Sequence, residues 1–138
     1  MTYKYSKKSL DRLHSCHPDL QLIFKYVIAF IDCSIIFGHR TREEQELAFI
    51  NGNTQLHFPH SKHNSSPSMA ADAAPYPIDW KDIPRFKYFS GIVLGIAKTL
   101  KIQGLVHHDV RWGGDWDMDH DMKDQNFNDL LHFELVGD

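Results

Sequence analysis

Between residues 20 and 31 apolar side chains recur every third or fourth position, through Leu20, Ile23, Phe24, Val27, Phe30 and Ile31. That spacing predicts a helix with one buried face, and Pro18 suits its first turn, where a missing N–H is harmless. Ser6 to His14 reads as a shorter helix before it, with Ser6 or Ser9 as cap. The pattern then changes. Cys33 to Phe37 is a β-branched run closed by Gly38 and predicts a strand. Thr41 followed by Glu44 resembles a capping box and Asn51-Gly52 a stop, so residues 42–50 should be helical. Residues 52–68 are polar and rich in Asn, Ser, His and Pro, hence a loop. Ala70 to Ala74 predicts a short buried strand, and Phe86, Phe89, Val93, Ile96, Ala97 and Leu100 form the stripe of a second long helix ended by Gly104. Leu105 to Val110 and His132 to Val136 read as the remaining strands. Helices and short strands in this mixed order predict an α+β fold, a small and mainly antiparallel sheet with helices packed on it.

Length and composition narrow the picture. At 138 residues the chain is expected to form one domain, 1–138, with a core that needs no disulfide. Cys16 and Cys33 match neither a disulfide framework nor a zinc knuckle, and are expected to be buried thiols. The net charge of −3 is uneven: residues 115–124 carry five Asp and one Lys, which leaves the remainder at +1. No basic excess of the kind that nucleic acid requires is present. Asp11, Arg12 and His14 interrupt any signal-peptide core, and the apolar run at 20–31 contains Lys25 and is too short to span a bilayer. Neither an export signal nor a membrane anchor is expected.

The candidate chemistry lies in three separated stretches. Ser61-x-His63 leads through small residues to Ala70-Ala71-Asp72, and Asp129 precedes His132 by three positions. Imidazole and carboxylate are both zinc ligands, and three of them leave a fourth position for water, as catalytic zinc sites do. Together with Gly38-His39-Arg40-Thr41 and Gln45, these motifs resemble, in order, the zinc peptidases that cut peptidoglycan stem peptides. That group includes the VanY-type D-alanyl-D-alanine carboxypeptidases and the L-alanyl-D-glutamate endopeptidases used as phage endolysins, and the short length fits the latter best. The resemblance runs from about residue 35 to the C-terminus. Two positions depart from the family pattern: the segment between His63 and Asp72 is longer, and Ser68 replaces a glycine four before Asp72.

Carried over, the resemblance implies a hedgehog/DD-peptidase-like fold in which His63, Asp72 and His132 bind Zn²⁺. Asp129 would be the unligated general base, and Arg40 would stabilise the oxyanion or hold a stem-peptide carboxylate. It implies a monomeric enzyme that reaches the cell wall by holin-mediated release from the host cytoplasm. A carboxypeptidase or dipeptidase, or a non-catalytic zinc module that binds a partner, are the alternatives; Asp129 and Arg40 speak against the last. A separate feature is Asp115-x-Asp117-x-Asp119, whose alternation is that of the first half of a calcium loop, with Asp124 as a later ligand. It lacks the glycine and final Glu of an EF-hand, and some phage endopeptidases of this family have a regulatory calcium loop at the corresponding place. The expectation is that Asp115, Asp117 and Asp119 bind Ca²⁺ beside the active site.

Overall fold

The computed structural model describes residues 2–123 and 129–137. Its elements run α1 (Lys7–His14), α2 (Pro18–Phe30), β1 (Cys33–Phe37), α3 (Arg42–Ile50), a 3-10 turn (Lys62–Asn64), β2 (Ala70–Pro75), α4 (Ile83–Ile102), β3 (Asp109–Gly113) and β4 (Asp129–Val136). The strands form one antiparallel sheet in the order β1-β2-β4-β3. The α+β expectation holds.

Helix ends follow local chemistry. Ser6 caps α1 by accepting from the Ser9 amide, and the His17 side chain caps α2 by accepting from the Asp19 amide, with Pro18 next in line. Thr41 and Glu44 complete the expected reciprocal capping box at α3. Asp82 accepts from Arg85 to open α4.

Strand alternation separates two faces of the sheet. In the β2–β4 register Ala71 pairs with Phe133, while Asp72 pairs with His132 and Ala70 with Glu134. Ala71, Ala73, Phe133 and Leu135 enter the core beside Ile35, and Leu20, Phe24 and Val27 of α2 and Phe89, Val93 and Ala97 of α4 complete it. Asp72, His132 and Glu134 are thereby left together on the opposite face. Burial of the six β2 residues is complete, so small alanines let helix and sheet approach closely.

Two strand starts and one core position differ from the sequence pattern. Leu105 to His108 is not strand; β3 begins at Asp109. The amides of Leu105 and Val106 bond to the Leu100 carbonyl, finishing α4, and those of His107 and His108 bond to Asp19 Oδ2, so none is free for a ladder. The last strand starts at Asp129 rather than His132, because Gly113 pairs with Asp129 across a bulge. Phe30, expected in the core, is 70% exposed, since it sits at the margin of the α2 stripe and in the last turn of that helix.

Candidate metal and catalytic centre

Three elements bring the expected ligands together. The Ser61 hydroxyl accepts from the His63 amide, which starts the 3-10 turn and turns His63 inward to 1% exposure. Asp72 and His132 face each other across β2 and β4, both buried. His63 Nε2 stands 3.1 Å from Asp72 Oδ1 and 3.2 Å from His132 Nδ1, and His132 Nδ1 stands 3.1 Å from the same carboxylate oxygen. Nitrogen and oxygen ligands about 2.0–2.1 Å from a tetrahedral zinc stand roughly 3.3 Å from one another. The triangle has that edge length.

The outer partners settle what these atoms offer. His63 Nδ1 lies 2.6 Å from the Gly38 carbonyl oxygen, which can only accept, so the proton is on Nδ1 and the Nε2 lone pair points at the triangle. His132 Nε2 lies 2.8 Å from Glu134 Oε1, which likewise directs the Nδ1 lone pair inward. Arg40 donates to Asp72 Oδ2 at 3.0 Å, leaving Oδ1 facing the histidines. Three acceptors thus converge on one point, each fixed from behind as metal ligands usually are. Burial opposes an imidazolium at His132, yet hydrogen bonds to Asp72 and Glu134, with the charges of Asp72 and Asp129, hold its pKa up to about 10. Burial also works against the Asp72 carboxylate, but the two histidines hold its pKa far below the usual range. The site therefore requires a positive charge at its centre, either a proton or a cation. The donor set and its spacing fit zinc.

Around the triangle stand the groups expected for catalysis. Asp129 opens β4 at the rim, and Gly113 gives it room: a Cβ on Gly113 would lie 2.0 Å from the Asp129 carbonyl oxygen. Burial and the Asp72 charge push the Asp129 carboxyl up to about 6, partly offset by His132 and Arg40. Arg40 is 5% exposed. Gln45 accepts from its Nη1 and is itself held by the Leu56 carbonyl and Asn64. The Arg40 Nε–H has no partner among the described residues. Its guanidinium lies over the Phe37 ring, 4.6 Å from the centroid.

A model of the phage L-alanyl-D-glutamate peptidases matches residues 1–136. The chain belongs to that family. It is an endolysin-like peptidase that cleaves peptidoglycan, and the match extends the likeness upstream of residue 35, through α1 and α2. A solved structure, the L-Ala D-Glu endopeptidase ChiX of Serratia marcescens, shares the fold at 21% identity with a TM-score of 0.69, covering 96% of this chain and 90% of that one. Among curated proteins none matches. Among the described residues no helix is long and apolar enough to cross a membrane.

Two of the peptidase's cavities, about 390 and 420 Å³, share Arg40 and Asp129. His63 and His132 line one and Asp72 the other, so the ligand triangle lies where they meet. Sequence reasoning missed Glu134, Trp116 and Trp80. Glu134 was within reach, since two residues after His132 on a strand is the same face. Trp116, whose ring lies 5.5 Å from that of His132, comes from an irregular loop, where no periodicity assigns a direction. The acidic loop places Asp115, Asp117 and Asp119 carboxylate oxygens within 4.8 Å of one another. Asp115 is buried, with Oδ1 unpartnered among the described residues. Asp124 lies outside them.

Proposed function

We propose that this peptidase is zinc-dependent and hydrolyses the L-Ala–D-Glu bond of the stem peptide, with His63, Asp72 and His132 as the metal ligands. The observation that carries this reading is the convergence of three lone pairs at tetrahedral-edge spacing. Bound zinc supplies a Lewis acid and a water of lowered pKa. Asp129 acts as general base: with a pKa near 6 it is largely ionised at neutral pH, yet basic enough to take the attacking water's proton and pass it to the leaving amine. Arg40 orients Asp72 through Nη2 and lines both cavities, so its guanidinium charge is placed to stabilise the carbonyl oxygen as negative charge develops there. In a phage infection the enzyme would be made in the host cytoplasm and act on the wall after holin-mediated release, as a monomer.

The test is metal analysis of purified protein together with mass spectrometry of digested peptidoglycan. About one zinc per chain and fragments with L-Ala carboxyl ends are expected; released D-Ala would point to a carboxypeptidase instead. Asp129→Asn should lose about 10²–10⁴-fold in rate while retaining zinc, and wild-type rates in that variant would remove Asp129 as base.

For the acidic loop, the buried and unpartnered Asp115 oxygen supports a calcium site with Asp117 and Asp119. Calorimetry should show binding that Asp115→Asn weakens; no heat at millimolar calcium would dismiss it.

A further inference from the structure

On the peptidase reading just proposed, the scissile bond divides two chemically different halves. The N-terminal half runs through L-Ala into the muramyl sugar of the glycan strand. The C-terminal half begins with an acidic D-Glu. The two cavities differ in the same sense. The one containing His63 and His132 also carries Lys62, whose ammonium bonds to the Leu135 carbonyl and lies 3.7 Å from Glu134, so a second cation besides Arg40 offsets the carboxylates of Asp129 and Glu134 there and is the group an acidic half would meet. Among the described residues the other carries no cation beyond the shared Arg40; Asp72 and Asp129 stand at its inner end, and Phe37, Leu131 and Trp80 give it an apolar wall.

Trp80 is the unusual member of that wall. It is 54% exposed although large and apolar. One face of the indole is backed by Phe86, with ring centroids 5.8 Å apart and planes 19° from parallel. Phe86 itself is 3% exposed and anchored in the first turn of α4. The indole is therefore a braced flat surface at the edge of a cavity that reaches Asp72 and Asp129. An alanine methyl is too small to cover it, whereas the C–H face of a pyranose ring matches an indole in area and in polarity, the ring's negative face meeting weakly positive C–H groups. We propose that Trp80 is a specificity residue that stacks on the muramyl ring. The stem peptide then crosses the centre from the Trp80 cavity to the Lys62 cavity, and the enzyme prefers peptide still attached to glycan.

The zinc-loaded enzyme is tested on two substrates, a free stem tetrapeptide and the same tetrapeptide carrying N-acetylmuramic acid. Wild type should cut the muramyl substrate with kcat/KM at least ten-fold higher, expressed mainly in KM. Trp80→Ala should bring that ratio to about one, and Trp80→Phe should restore part of it. Equal rates on both substrates in wild type, or an unchanged ratio in Trp80→Ala, would overturn the stacking role and leave the peptidase reading standing. An equal fall on both substrates in Trp80→Ala would place the indole against the peptide and overturn it as well. Cleavage of neither substrate by wild type would remove the peptidase reading, and this one with it.

Discussion

His132 has a partner on each ring nitrogen, and each partner limits what the other nitrogen can do. With Glu134 accepting from Nε2, the proton a metal displaces is the one on Nδ1, whose lone pair then faces the ligand triangle. Glu134 is held in turn by Arg111, whose Nη2 donates to Oε2 at 3.1 Å; burial pushes its carboxyl up, but the bond from His132 and the charges of His132, Lys62 and Arg111 leave its pKa lowered. Replacing Glu134 by Gln keeps the shape but permits the amide to present an N–H to Nε2, which favours the wrong tautomer. Zinc affinity should fall about 10–100-fold, the usual effect of losing such a partner. Competition against a chromophoric chelator would measure it, and an unchanged affinity would mean that Glu134 only packs. At this scale the sequence was informative where chemistry is strongly typed. His63, Asp72 and His132 stand out because zinc accepts few side chains. Arg40 was legible as important but not in its contact, since nothing in Gly38-His39-Arg40-Thr41 announces an ion pair with a residue 32 positions away.

Elements were legible wherever a cap or a stripe marked them, as at α3, and poorly where backbone donors were taken by distant groups, as at residues 105–108. Gly38 shows the same limitation. It read as a strand terminator, yet its requirement is spatial. A Cβ there would lie 2.2 Å from the Arg12 carbonyl oxygen and 2.4 Å from Ser15 Oγ, at the end of α1. Backbone cannot yield as a side-chain tip can. Gly38→Ala should therefore cost about 1–3 kcal/mol of stability and displace the carbonyl that fixes the His63 tautomer. Thermal unfolding of the zinc-free and zinc-loaded protein would check both effects, because a tautomer effect appears as a smaller gain on adding zinc. An equal gain in wild type and variant would confine the damage to packing. Ser68 belongs with this case. Fully buried, it bonds its hydroxyl to the Ala70 carbonyl, while its own amide and carbonyl bond to Ser15 and His17. The segment before β2 is thus tied to the α1–α2 junction, and the strand delivers Asp72.

For the molecule as a whole, the meeting of residues from positions 40, 63, 72, 129 and 132 was accessible only through the order of the motifs; periodicity gives faces of elements, not which faces meet. The unforeseen long-range tie is Asp19. At the start of α2 its carboxylate accepts from the amides of His107 and His108 and lies 2.7 Å from His108 Nδ1, binding the chain before β3 to a helix nearly ninety residues earlier. Burial pushes the Asp19 carboxyl up, but the bonds from His108 and His107 outweigh it, and its pKa lies below the ordinary value. A carboxyl whose folded pKa is depressed contributes stability that is fully present above the unfolded value, about 3.9, and lost as pH falls through the folded one. Asp19→Asn should therefore lower stability at neutral pH by about 1–3 kcal/mol, the usual range for hydrogen bonds to a charged group. The deficit should shrink steadily below pH 4. With both proteins kept in chelator throughout, the difference between their melting temperatures isolates Asp19 at each pH. A deficit of constant size from pH 7 down to pH 2.5 would mean that the carboxylate's charge contributes nothing and that the tie is held by shape alone.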